Sequence, residues 1–333
     1  MVMRLVLLLV FLLPACSVRS PALSSSTPLP ATVRGQDLYG TLLDLRTLQA
    51  ISFEAMLAAV AQVQVVAVGE EHYHPDIQAF ELELLQALTR CRPQRLALAM
   101  EFLERHQQPI VDAYLAGALD PQALQRRLQA SEAFMRLYFP LLRYARQAGL
   151  PVIAMNTPRR LARQIAREGL QATLRRLSPE ERAYLPEALP ALPPAYRTYF
   201  LEAVAGSHRL EGEQSERFVE ASFVKDVTMA LALATFLKAH PEHAVLAIAG
   251  RFHMSYDKAV PFFLRQYAPR LALRRLITLA VEPEETLDLD KLRAEDAADY
   301  LRLFPPAPEE TKRQALSEPA AKNGDGSKEG RPR

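Results

Sequence analysis

Cysteine is nearly absent from this chain: Cys16 and Cys91 are the two in 333 residues. If Cys16 is consumed at the N-terminus, as its context suggests, no intramolecular disulfide can form and an ordinary apolar core must carry the stability. No C-x-x-C-H occurs, which excludes covalent attachment of a haem. Charge of one sign is lacking too. Lys and Arg total 40 against 38 Asp and Glu, mixed along the chain, so the electrostatic footprint of a nucleic-acid partner is missing. No internal repeat is found. The N-terminal apolar run, Leu5 to Leu13, is less than half the roughly 20 residues that a bilayer-spanning helix needs. What is present is a composition 49% apolar, enough for a sizeable core.

The two ends differ from the middle. Arg4, the apolar run and Pro14-Ala15-Cys16 have the charged, apolar and small-residue regions of a secretory signal. LPAC ends in cysteine and resembles the lipobox of bacterial lipoproteins, despite its unusual Pro14; an ordinary signal with a chance cysteine is the alternative. The expectation is a signal peptide and lipobox over 1–16, lipidation of Cys16 and a lipid anchor in the bacterial cell envelope. Ser17 after the cysteine points to the outer membrane. Residues 17–40, carrying SPALSSSTPLPAT, read as a flexible tether. Residues 305–333, rich in Pro, Gly and charge, read as a disordered tail, with partner binding as the alternative.

Between the ends, 41–304 reads as one α/β domain. Strand-like runs at Val63–Val68, Arg95–Met100, Pro151–Met155, Ala244–Ala249 and Leu271–Val281 alternate with helical patterns. Ile77, Phe80, Leu84, Leu85 and Leu88 share one helical face after Pro75. A longer pattern runs from about Glu213 to Ala239, with Val224, Val227, Leu231 and Ala234 on one stripe. Such alternation predicts a mainly parallel sheet flanked by helices. The excess of helix over about 107–240 predicts a smaller inserted helical subdomain, interrupted by the strand at 151–155.

Chemistry collects at the strand ends. The first strand ends in Gly69-Glu70-Glu71-His72, the second in Glu101-Phe102-Leu103-Glu104-Arg105, the third in Asn156-Thr157-Pro158-Arg159-Arg160 and the fourth in Gly250-Arg251-Phe252-His253. In a parallel sheet these lie on one edge, where open α/β sheets bind ligands. Taken singly, each has a bland reading. His253 alone fits a hydrogen-bonded structural histidine, and Glu101, placed where burial is expected, needs a cation, a donor or a metal. Arg159 and Arg160 suit carboxylates or phosphates. His74, His106, His208, His240 and His243 read singly as surface residues.

The ordered motifs GEEH, AMEFLERHQQPIVDAYL, LYFPLLRYARQAGLPVIAMNTPRR, KDVTMA and IAGRFHMSYDKAVPFFL resemble the ChaN family of haem-binding lipoproteins. That family sits with the Tiki proteins and erythromycin esterases in a wider superfamily. The resemblance covers about Leu42 to Val281. It implies a parallel-sheet domain with a smaller helical one, a role in iron-regulated haem uptake, and non-covalent haem held at a homodimer interface. By motif position it points to Glu70, His72, Glu101, Arg159 and His253. The chain departs from the pattern at Ser222, where glutamine is expected, and at Tyr73-His74-Pro75.

Two mechanisms follow. Haem needs an axial ligand, apolar surface and cations for its propionates, and the candidates are His72, Arg159, His253, Tyr256, Lys258, Tyr138 and Tyr73. A hydrolase of the esterase or protease type would instead gather Glu70, His72, Glu101 and His253 as catalytic groups, alone or around a divalent metal such as zinc or manganese. Haem binding is the preferred expectation and the hydrolase the alternative.

Overall fold

The computed structural model describes residues 28–205 and 212–308. The expected signal peptide, Cys16, residues 17–27 of the tether and 309–333 of the tail lie outside the described residues. Three short strands come first, β1 (Thr32–Arg34), β2 (Leu42–Asp44) and β3 (Gln49–Ile51), then helix α1 (Phe53–Val60), begun by Ser52, whose hydroxyl accepts from the Ala55 amide at 3.1 Å. β4 (Val65–Glu70), α2 (Pro75–Cys91) and β5 (Leu96–Glu104) alternate strictly. Four helices, α3 (Gln108–Leu115), α4 (Pro121–Leu128), α5 (Glu132–Leu137) and α6 (Phe139–Ala148), precede β6 (Val152–Asn156). Five more, α7 (Arg159–Glu168), α8 (Leu170–Leu174), α9 (Pro179–Arg182), α10 (Pro194–Ala205) and α11 (Glu213–Ala239), precede β7 (Ala244–Gly250). The chain continues through α12 (Arg251–Met254), α13 (Val260–Tyr267), β8 (Leu273–Ala280), β9 (Thr286–Asp288), α14 (Leu289–Ala294) and β10 (Tyr300–Phe304).

Eight strands form one sheet in the order β3-β2-β10-β8-β4-β7-β5-β6. From β10 to β6 every pair is parallel, whereas β2 and β3 add an antiparallel edge. The fold is thus α/β with a mostly parallel sheet flanked by helices, as the alternation predicts. The five expected strands are β8, β4, β7, β5 and β6, which run in that order to the β6 edge. The antiparallel edge was not expected, because strands of three residues carry no periodic signal.

Side chains alternate across the sheet with period two. Val66, Val68, Leu96, Leu98, Met100, Leu246 and Ile248 face a core shared with helices α1 to α6. Val65, Ala67, Ala97, Ala99, Val245, Ala247 and Ala249 face the opposite core, built by α7, α8, α10, α11 and α13. The alanines on this second face leave room for the 27-residue α11 to lie close. The helical stretch of about 107–240 is therefore shared between the two faces of the sheet, with β6 as its edge strand.

A third core corrects the expected limits of the tether. Val33 and Leu38 are buried with Leu43, Leu289 and Leu301, and β1 pairs with β9. The last part of 17–40 is folded. At the other end, the Pro305 carbonyl accepts from His74 Nε2 at 2.8 Å and Ala307 is buried. His74 is thus an interior residue, contrary to its surface reading. Among the described residues no helix is long and apolar enough to cross a membrane.

Candidate functional site

The parallel register brings the strand ends level. Glu70 of β4 lies beside Gly250 of β7, and Met100 of β5 lies opposite Ile248, so Glu101 follows at the same edge. The chain leaves β4 through a tight turn in which Tyr73 takes a left-handed φ of 60°, and Pro75 then opens α2. This turn lays the His72 ring across Gly250. A Cβ on Gly250 would sit 2.8 Å from His72 Cε1 and 3.1 Å from Nε2. Gly250 has an ordinary φ of −52°, so it is space and not backbone freedom that requires glycine here. Phe102 meets the His72 ring edge-on at 5.1 Å and stacks on Tyr138 at 3.8 Å.

Two hydrogen-bonded groups meet at this edge. In the first, the buried Glu70 carboxylate accepts from His72 Nδ1, the Gln78 amide and the Tyr138 hydroxyl, the last at 3.1 and 3.2 Å to its two oxygens. A carboxylate only accepts, so the His72 proton on this side belongs to Nδ1. In the second, Glu101 Oε1 accepts from Lys225 Nζ at 2.9 Å and faces His253 Nε2 at 3.3 Å, while Oε2 accepts from the Gly250 amide at 2.8 Å. His253 Nδ1 donates to Asp226, whose other oxygen accepts from the Tyr196 hydroxyl at 2.6 Å.

These contacts set the charges. Burial works against an ionised Glu101, but the charges of His253 and Lys225 and the bond from His253 hold its carboxyl well below the usual range. Burial likewise opposes charge on His253. Asp226 and Glu101 outweigh it and, with Lys225 opposing, raise the imidazole to about 9. His72 is raised as well: desolvation lowers it, and the bond and charge of Glu70, with Glu101 beyond, more than compensate. Glu81 of α2 is fully buried, and neither of its oxygens has a partner among the described residues. Desolvation and the nearby Glu70 charge push it well up, so it stays a neutral acid.

This donor set does not fit a divalent metal. The Lys225 ammonium is 2.9 Å from Glu101 Oε1 and 3.3 Å from His253 Nε2, where a cation ligated by both would belong. Glu70 and His72 form one group and Glu101 and His253 the other at the same edge, and the cation between Glu101 and His253 is a side chain.

A protein-family model described as "Haem-binding uptake, Tiki superfamily, ChaN" matches residues 56–264, more than half of the chain. The chain belongs to this family. Among solved structures it is similar to ChaN of Campylobacter jejuni, described as showing cofacial haem binding. The two share 18% identity at a TM-score of 0.60, over 78% of this chain and 95% of that one. That likeness shows the fold. A mutant of the erythromycin esterase EreC in its open conformation is similar at 14% identity and a TM-score of 0.47, over 80% of this chain and 97% of that one. No curated protein matches the sequence.

Within this ChaN-family domain the expected residues are not equally placed. His72 is exposed, and its Nε2 has no protein partner among the described residues. His253 is buried, with Nδ1 bonded to Asp226 and Nε2 facing Glu101 and Lys225. Tyr138 is fully buried, its phenol donates to Glu70, and burial with the charges of Glu70 and Glu81 pushes it well up. Tyr73 is half-buried, its ring 6.4 Å from that of His72. Arg159 does not join Glu101; its amide donates to Glu104 at 2.8 Å and its guanidinium lies 3.7 Å from the same carboxylate. Tyr256 is half-buried, and the Lys258 ammonium lies over it at 5.2 Å and over Tyr199 at 5.4 Å.

Sequence reasoning assigned no role to Lys225, Asp226, Gln78 or Glu81. Each had a signal. Lys225 and Asp226 interrupt the apolar stripe of α11, and Gln78 and Glu81 share the buried face of α2 with Ile77, Leu84 and Leu85. A polar residue on a core-facing helical stripe needs a partner; Lys225, Asp226 and Gln78 find theirs at the sheet edge, and Glu81 stays protonated instead.

Proposed function

We propose that this protein binds haem non-covalently at the carboxyl edge of its sheet, as an envelope lipoprotein that takes part in haem and iron uptake. The observation that carries the reading is the state of His72. It is the exposed imidazole of the edge, its Nδ1 held by a buried carboxylate and its Nε2 left without a protein partner among the described residues. A carboxylate behind an imidazole fixes the tautomer and raises the basicity of a ligand nitrogen, which suits the axial position of a haem iron. Phe102 beside the ring offers apolar surface, as does Phe252, a large apolar side chain that is 42% exposed. The Arg251 guanidinium, 5.0 Å from the centre of the Phe252 ring, offers a cation for a propionate. Bound haem would supply the iron; the chain supplies one nitrogen, a flat apolar surface and charge.

His72 must be neutral to bind iron. Because Glu70 holds it more basic than usual, affinity should rise with pH through a midpoint above 6.5. Family membership and the cofacial haem binding described for ChaN of Campylobacter jejuni support the reading. They also favour a second copy of the chain facing the exposed side. The lipobox-like LPAC supports acylation of Cys16 and anchoring in the outer membrane.

The test is a haem titration followed by Soret absorbance. Wild type should show a saturable shift that is lost in His72→Ala and retained in Tyr73→Phe and Tyr256→Phe. Glu70→Gln should move the pH midpoint down. Retention in His72→Ala with loss in either tyrosine variant would transfer the ligand to a phenol. A wild-type spectrum unchanged from free haem at micromolar protein would end the haem reading.

A further inference from the structure

The edge of the sheet opposite His72 carries a second group of donors. α11 ends at Ala239 with His240 as its cap, and the sequence His240-Pro241-Glu242-His243 turns directly into β7. One ligand atom from each of His240, Glu242 and His243 lies within 4.8 Å of those of the other two. The two imidazole rings are 5.3 Å apart, and His243 Nδ1 lies 2.9 Å from a Glu242 oxygen.

Backbone hydrogen bonds hold the turn that presents them. The His240 amide donates to the Phe236 carbonyl at 2.9 Å, that of His243 to the His240 carbonyl at 3.0 Å, and that of Ala244 to the Arg95 carbonyl at 2.8 Å in the neighbouring strand. Pro241 fixes one backbone torsion between the two histidines. The Phe236 ring backs both imidazoles, at 4.6 and 5.6 Å. Their position at the C-terminal end of a 27-residue helix adds the negative pole of its dipole, which favours a cation. No lysine or arginine is paired with this group among the described residues, in contrast to the Glu101 site, where Lys225 already supplies the charge.

We propose that His240, Glu242 and His243 form a binding site for a late first-row divalent cation, Zn(II), Cu(II) or Ni(II). Two imidazoles and one carboxylate suit these ions and not Mg(II) or Ca(II), which prefer all-oxygen shells. Three protein ligands on an exposed turn leave further positions for water or an external donor. The site is separate from the haem edge. The seven residues of β7 stand between them, a length of roughly 23 Å at about 3.3 Å per residue.

The experiment is a Zn(II) titration of the haem-free full-length protein by calorimetry, with Cu(II) electron paramagnetic resonance as the ligand readout. Wild type should bind one Zn(II) with nitrogen hyperfine structure in the Cu(II) spectrum. His240→Ala/His243→Ala should weaken this by at least about tenfold, since loss of even an outer-shell partner costs about 10- to 100-fold. Glu242→Gln, which keeps the shape of the turn, should weaken binding with an unchanged melting curve. His72→Ala should leave it intact. Equal affinity in wild type and the double variant, transfer of the loss to His72→Ala, or no wild-type binding would each overturn the proposal.

Discussion

Replacing Asp226 with asparagine should flatten the dependence of stability on pH between 6.5 and 9. Against the cost of burial, Asp226 does most to raise His253 from an ordinary 6.5 to about 9. A group whose basicity rises on folding stabilises the native state fully below its unfolded pKa and loses that contribution as pH climbs through the folded one. At about 1.4 kcal/mol per unit, the His253 contribution is roughly 3 kcal/mol, present at pH 6.5 and gone above about pH 9. Asparagine keeps the shape and can still accept from Tyr196 or contact His253, but it brings no charge. Glu101 would remain as an anionic neighbour with Lys225 opposing it, so roughly half or more of the dependence should vanish. His72 is displaced in the same direction but through Glu70 and Glu101, and is common to both proteins. Urea unfolding at intervals from pH 6 to 9.5 measures the difference. Wild type should lose stability steeply over this interval and Asp226→Asn should start lower and change less. Parallel curves would show that Asp226 does not hold a proton on His253, and the charge assignment of the second network would fall.

Two other variants probe the edge. Gly250→Ala puts a methyl 2.8 Å from His72 Cε1, so the ring must move; the Soret shift should weaken while the backbone, at an ordinary φ, suffers no strain, and unchanged haem affinity would show that the position of His72 is unimportant. Glu81→Leu replaces a buried neutral acid lacking partners by an apolar side chain. It should raise the urea midpoint at pH 7 by about 1–3 kcal/mol equivalent, and a loss of similar size would mean that the acid is satisfied by something other than the described side chains.

Legibility in the sequence followed the length of the periodic signal. β4, β5, β6, β7 and β8 were readable because runs such as Val65–Val68 and Ala244–Ala249 are bounded by turn or charge residues and separated by helical patterns. β2 and β3 were not, because three residues cannot establish a period, and β10 runs straight into the proline-rich segment. The meeting of His72, Glu101 and His253 followed from parallel strands alone. Which nitrogen is occupied, and by what, depends on α11, whose Lys225 and Asp226 are more than a hundred residues from Glu101 in the chain. Tyr138 shows the same limit from the other side: its aromatic chemistry was readable, but its enclosure between Phe102 and Glu70 was not.

Lys225 has a consequence for the supply of the site. An ammonium carried on α11 cannot be chelated, exchanged for a competing ion or loaded with the wrong one. The positive charge between Glu101 and His253 arrives with translation and is in place once α11 docks on the sheet. This edge therefore folds to the same charge state in surroundings starved of metal as in surroundings rich in it.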